Sequence, residues 1–323
     1  MENGFKPEGE LLNTKENRDL LASRNGLERA MKTGETVEGV ATVCDGEMRL
    51  QVDLGCMRGI ILPEEAVFCR PGESRKDIAV VSRVGKSVAV KIMAFTERNG
   101  ETVALLSRRA AQKDCLERYL MRLCAGDIIL GRVTHMEPFG AFLDIGCGVS
   151  SLLSVDCISV SRISHPHDRL SVGMLLPVAV RSVDRESGRI AVTLRELLGT
   201  WEENAAGFSA GQTVTGIVRS VESYGVFIEL APNLAGLAEV RGEEQTEAMR
   251  ALIGHAVAVY IKSINPERMK VKLVVVDPAP CRMPPKAPVL FVDAERVKHL
   301  DRWVYSPARC PRRVETVFGS NEE

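Results

Sequence analysis

Two short runs carry the residues with the most to offer chemically. Phe139 and Phe142 flank Gly140-Ala141, and Tyr224 and Phe227 flank Gly225-Val226, so two pairs of rings share one spacing around a glycine. Such rings make and break no bonds. When exposed, they can stack on the bases of a single strand, at about 1–3 kcal/mol per base and with little sequence preference. Cations able to meet a phosphate backbone accompany each pair: Arg132 and Arg181 the first, and Arg219, Lys262, Arg268, Lys270 and Lys272 the second. Lys270 and Lys272 are two apart, so on a strand they share a face. A third run at the corresponding place, Asp45-Gly46-Glu47-Met48, has no ring. A ring required to fill an interior would occur in every copy, so its absence from one marks the pairs as surface features.

Catalytic signatures are missing. There is no P-loop, no GxSxG, no HExxH and no glycine run of the dinucleotide-binding kind. The nine Cys form no CxxC pair and the five His stand at no zinc-finger spacing. The expectation is therefore a protein that is not an enzyme, with no cofactor and no metal, whose cysteines are small apolar core residues in a reducing compartment.

The elements that must position these residues come from an internal repeat. Three segments align: GETVEGVATVCDGEMRLQVDLGCMRGIILP from Gly34, GDIILGRVTHMEPFGAFLDIGCGVSSLLS from Gly126 and GQTVTGIVRSVESYGVFIELAPNLAGLAE from Gly211. Each has Gly at its first and sixth positions. Apolar residues alternate over short Val, Ile and Phe runs broken by turn residues, which is the period of strands that read as antiparallel. In repeat 2 the strands are predicted at 128–136, 140–146, 149–154, 175–184 and 189–195. Five short strands in so few residues suit a small closed barrel of the oligonucleotide-binding type, and a glycine inside the first strand suits one that bends at a barrel corner.

The run SRRAAQKDCLERYLMRL at 107–123 reads as an amphipathic linker helix, and LRELLGTWEEN at 194–204 as a shorter one. The first 33 residues hold room for one helix. After 277 comes a Pro-rich spacer, DPAPCRMPPKAP, and then a tail that the pattern leaves extended, although FVDAERVKHLDRWV could dock. The expected division is an N-terminal extension 1–33, barrel 1 at 34–108, a linker helix 109–124, barrel 2 at 125–196, a linker helix 197–210, barrel 3 at 211–277 and the tail 278–323.

With these motifs in place, residues 34–275 resemble the tandem S1-motif domains of bacterial small-subunit ribosomal protein S1. The resemblance rests on Gly-x-(Val/Ile)-x-x-(aromatic)-Gly-x-Phe and on its recurrence. It implies an all-β dominated chain of three five-stranded OB-fold barrels joined by short helical linkers. It also implies an RNA face of two aromatics, a His after the third strand, an Asp closing the fourth and a basic residue opening the fifth. Carried over, these positions become Phe139, Phe142, Ser154, Asp184 and Arg189 in repeat 2, and Tyr224, Phe227, Glu239, Asn265 and Arg268 in repeat 3. The His is lost from both, and Glu239 would repel a phosphate. His165 and His167 could replace the missing ring, although they read more simply as loop residues. Repeat 1 resembles first repeats that contact protein partners, here the small ribosomal subunit, more than RNA.

Charge limits the affinity this face can reach. The chain has 42 Lys and Arg against 43 Asp and Glu, a formal net charge of -1, so it does not coat nucleic acid by bulk charge. Repeats 2 and 3 each hold eight acidic and seven basic residues, so neither is a basic barrel. No stretch is apolar enough to span a membrane and the N-terminus lacks a signal peptide's apolar core, so the expectation is a cytoplasmic protein. The function expected is binding of single-stranded RNA, mRNA included, in translation or RNA metabolism, led by stacking, with Arg132 and Lys270 as further contacts. No membrane and no small-molecule substrate are expected. The alternative is an adaptor that keeps the barrels but binds proteins.

Overall fold

The structure is a computed structural model that describes residues 4–70, 72–98, 100–240, 242–281 and 288–319. Its N-terminal extension folds into two helices, not one: α1 (Lys15–Leu21) and α2 (Arg24–Thr33). Thr14 and Ser23 explain the break, because each side-chain oxygen accepts the N–H of the residue three ahead, Asn17 and Gly26, and so starts a helix.

Three closed five-stranded barrels follow. Barrel 1 is built from β1 (Val37–Cys44), β2 (Leu50–Asp53), β3 (Arg58–Ile61), β4 (Ser87–Arg98) and β5 (Glu101–Ser107), with α3 (Asp77–Val81) between β3 and β4. After α4 (Arg108–Arg118), barrel 2 comprises β6 (Ile128–Glu137), β7 (Gly140–Asp144), β8 (Ser150–Ser154), β9 (Leu175–Asp184) and β10 (Arg189–Thr193). After α5 (Trp201–Ala205), barrel 3 comprises β11 (Thr213–Glu222), β12 (Gly225–Ala231), β13 (Leu234–Ala238), β14 (Ala256–Asn265) and β15 (Lys270–Cys281), with α6 (Glu243–Arg250) before β14. The strands are not all antiparallel. Each barrel closes through a parallel pair of its third and fifth strands, a direction that alternation alone does not encode.

The repeated glycines have separate causes. Those in first place, Gly34, Gly126 and Gly211, have φ of 69°, 96° and 91°, which a side chain would strain. Those in sixth place lie where strand 1 crosses close over strand 2: a Cβ on Gly131 would sit 2.8 Å from Leu143, and one on Gly216 2.5 Å from Ile228. The first strand shifts register two residues later, so the bend lies beside this glycine.

The linker helices differ from an amphipathic pattern. The buried side of α4 includes Arg108 and Gln112 beside Ala111, Cys115 and Leu116. The second linker is split by Gly199, φ 82°, into a 3-10 turn (Arg195–Leu198) and the short α5. Polar contacts therefore fix the barrels to one another. Glu8 is buried between barrels 1 and 2, where Arg108 Nε and Nη2 donate to it at 2.6 and 3.0 Å and Ala89 N–H at 3.1 Å. Its own N–H donates to Asp144 of barrel 2 at 2.7 Å. Barrels 2 and 3 meet at a buried network in which Arg169 and Arg219 both pair with Glu229.

The C-terminal segment is docked and not free. Ile128 N–H donates to Lys298 O and Leu300 N–H to Gly126 O, which lays the segment along barrel 2. Beyond, β16 (Arg302–Val304) and β17 (Glu315–Val317) form a two-stranded ribbon, and Trp303 and Tyr305 enter the core of barrel 3. Its apolar residues are spaced to fit two barrels at once, so they match neither helical nor strand period. The Pro-rich spacer at 282–287 lies outside the described residues. Among the cysteines whose burial is described, Cys115, Cys147 and Cys157 are buried, while Cys56 and Cys124 are exposed at loops and the helix-to-barrel junction.

Candidate nucleic-acid interface

The two ring pairs adopt one geometry. Phe139 and Phe142 have centroids 6.1 Å apart at 89°, and so do Tyr224 and Phe227. Phe139 is 55% and Tyr224 62% exposed, at the turn between the first two strands, while Phe142 and Phe227 are half-buried on the second. Neither ring of either pair is buried in a barrel. In barrel 1 the register places Met48 and Gln51 at these positions. That face is without rings, and Met48 holds the turn at φ 61°.

Barrel 2 has a third ring that the sequence pattern passed over. His135 on β6 stacks on Phe142 at 6.2 Å and 20°, and its Nε2 lies 2.7 Å from Glu137. Strand 1 thus supplies an imidazole where a search after strand 3 finds Ser154, which pairs across from Gly140. The signal was the outward phase of His135, shared with Thr134 across the register shift. His165 and His167 stack on each other at 4.6 Å in their own 3-10 turn.

The cations expected at the face of barrel 2 have partners within the protein. Arg132 pairs with Glu10 and donates to Gly173 O at 3.0 Å, which ties it to the N-terminal extension and removes it from the expected RNA contacts. Arg181 Nη1 donates to Cys157 Sγ at 3.0 Å. Arg189 opens β10 with its side chain exposed, 3.5 Å from Glu73 of barrel 1. Asp184 accepts the N–H groups of Glu186 and Ser187 at 3.0 and 3.1 Å. Its carboxyl lies below the ordinary range chiefly through the Ser187 hydroxyl, so it shapes the turn beneath the face.

In barrel 3 the cations converge. An open cleft of about 900 Å³ is lined by Tyr224, Phe227, Lys262, Arg268, Lys270 and Lys272, with Glu239. Lys270 and Lys272 are exposed on one face of β15. Register corrects the carry-over: Lys270 pairs with Asn265 as Arg189 pairs with Asp184, so Lys270 opens the fifth strand. Arg268 instead sits in the preceding 3-10 turn, its N–H donating to Asn265 Oδ1 at 2.9 Å. Arg219 is not available to a phosphate, being buried against Glu229 at 2.7 Å and Asp168 at 3.1 Å.

Comparison with known proteins addresses the barrel whose rings and strands these are. Residues 122–195, which span barrel 2, match the S1 RNA binding domain. The chain is 31% identical over 161 residues to small ribosomal subunit protein bS1 of Staphylococcus aureus (strain N315), covering 48% of this chain and 40% of that protein. The S1 domain match is thus confined to barrel 2 and the residues that flank it. To bS1 of Staphylococcus haemolyticus (strain JCSC1435) it is 32% identical over 198 residues, covering 58% of this chain and 50% of that one. The chain thus spans half or less of the length of these curated relatives. Among solved structures it is similar to GSP13 from Bacillus subtilis, at 27% identity and a TM-score of 0.22, covering 23% of this chain and 57% of that one. It is also similar to a multidomain protein with nucleic acid binding domains from Streptococcus pneumoniae, at 16% identity and a TM-score of 0.23, covering 75% and 73%. Across its three barrels, then, this chain shows one face rich in rings, one rich in cations and one without rings.

Proposed function

We propose that this chain binds single-stranded RNA, mRNA included, without catalysis, through the faces of barrels 2 and 3. The observation that carries the reading is the cleft of barrel 3. Five Lys and Arg side chains line it against one acid, Glu239, around an exposed aromatic pair, in a chain whose net charge is -1. Rings hold bases and the surrounding cations hold the backbone. The S1 match and the bS1 relatives support a place in translation or RNA metabolism in the cytoplasm, and no helix among the described residues is long and apolar enough to cross a membrane.

Barrel 1 has a different role in this proposal. With Met48 and Gln51 where the rings would be, it has nothing to stack with, and it serves as the contact to the small ribosomal subunit. Fluorescence anisotropy of a labelled oligouridylate with the full chain tests the RNA reading. Y224A/F227A and F139A/F142A should each weaken binding at least about tenfold while leaving the melting temperature unchanged. Wild-type affinity in both variants would contradict the reading and leave the protein-binding adaptor in its place.

A further inference from the structure

The C-terminal segment reaches the RNA face itself. Tyr305, Arg312 and Val314 line the same cleft as Tyr224, Phe227 and the four barrel 3 cations. We propose that this segment is the second wall of the cleft and that Arg312 contacts a phosphate of the single strand held there. The proposal rests on the RNA-binding reading above and adds to it a residue from outside the barrels.

The loop that carries Arg312 is pinned on both sides. Tyr305 N–H donates to Val314 O at 2.9 Å, Val314 N–H to Ser306 Oγ at 2.7 Å, and Ser306 Oγ to the carbonyl of Arg312 itself at 2.8 Å. Beneath it, Tyr305 Oη donates to Asn233 O at 2.7 Å, and Tyr305 O accepts the N–H of Trp201 at 3.0 Å. A backbone held in this way presents its guanidinium from a set position, so less freedom is lost when a strand binds.

The neighbouring charges single out Arg312. Arg313 is committed to Glu315 at 3.2 Å, as is Arg302 in the ribbon, and Arg309 is exposed but does not line the cleft. Arg312 is exposed in the cleft and makes no ion pair among the described residues. Glu239 stands there where an S1 face has His, and its charge opposes a phosphate track. A fifth cation on the facing wall offsets that repulsion.

The test measures oligouridylate affinity of the full chain by anisotropy across a salt series, for wild type, R312A, R312K, R309A and Y224A/F227A. R312A should bind about fivefold more weakly at low salt. Its plot of log affinity against log salt should be shallower by about 0.7, the share of one phosphate contact on a single strand. R312K should restore the slope and R309A should match wild type. If Y224A/F227A loses binding while R312A keeps the wild-type affinity and slope, the tail assignment fails and the RNA reading stands. If R309A falls as far as R312A, diffuse tail charge is at work and the assignment to Arg312 fails. If Y224A/F227A keeps wild-type affinity, the cleft of barrel 3 does not hold the strand and the tail assignment fails; if the wild type shows no binding at all, both readings fall together.

Discussion

Barrels 2 and 3 hold their ring pairs at the same distance and angle, yet surround them with opposite resources. Barrel 2 adds a third ring, His135, and directs Arg132 to the N-terminal extension and Arg189 toward Glu73 of barrel 1. Barrel 3 has no third ring at the matching strand position, which is Ser220, and leaves four cations facing the cleft. The repeated fold fixes ring placement, while side chains outside the motif decide whether a face grips bases or backbone. Two faces of equal affinity could therefore respond to salt in quite different ways.

The comparison can be broken most forcefully by removing all four rings. The quadruple variant F139A/F142A/Y224A/F227A should lose about a hundredfold or more in oligouridylate affinity, since each stacked base contributes about 1–3 kcal/mol. A loss no larger than that of one double variant alone would show that the two faces do not add on one strand. Next, K270A/K272A should flatten the salt dependence by about 1.4 in slope, two phosphate contacts' worth, whereas R189A, already beside Glu73, should change it by less than about 0.7. Equal effects would erase the distinction between a base-gripping and a backbone-gripping face. A smaller effect, about threefold, is expected for H135A, with no change in salt slope; a steeper or shallower slope would make His135 a charge contact instead of a ring.

The weakest effect expected concerns how the faces are held, and it depends on pH. Burial opposes ionisation of Glu8, but Arg108, aided by Arg83, outweighs it and keeps the carboxyl below its ordinary 4.5. That contribution to stability is complete above 4.5 and is lost as the pH falls and Glu8 protonates. Asp144 is shifted the other way, pushed up to about 7 by burial and by the charge on Glu8. Its contribution is present at acid pH and declines as the pH rises from 3.8 toward 7. Burial pushes Glu38 up to about 7 as well, so stability should fall below pH 4.5 through Glu8 and fall toward neutrality through Asp144 and Glu38 together; in urea unfolding D144N should reduce the decline toward neutrality, whatever it does to absolute stability. A decline as steep in D144N as in the wild type would place its origin elsewhere.

Much of this architecture was legible in the chain because each barrel strand shows one face to its core. Alternation placed the strands of barrel 2 within two residues of those observed, and the spacing of Phe139 with Phe142 and of Tyr224 with Phe227 located both faces. Strand direction was not legible, since a parallel pair alternates as an antiparallel one does. Charge was legible in number but not in arrangement: Lys262, Arg268, Lys270 and Lys272 collect on one side of a barrel whose sum is -1, and Arg219, which looks equivalent in the sequence, is turned inward by Glu229. The tail was obscured for a related reason. Trp303 and Tyr305 serve a core to which they contribute only two large residues, and a docked segment of that kind has no period of its own.

Asn233 ties the last repeats into one body. Fully buried, it accepts Val160 N–H through its side-chain oxygen at 2.9 Å, donates through its amide nitrogen to Arg195 O and Gly199 O at 2.8 Å each, and receives the Tyr305 hydroxyl on its carbonyl. One residue thus completes the hydrogen bonding of barrel 2, of the linker and of the C-terminal segment while belonging to barrel 3. Tandem barrels invite treatment as interchangeable beads, to be excised, swapped or multiplied at will. Here any cut between the second and third beads strands several buried polar groups at once, so these two and the segment behind them are inherited, and must be engineered, as a single part.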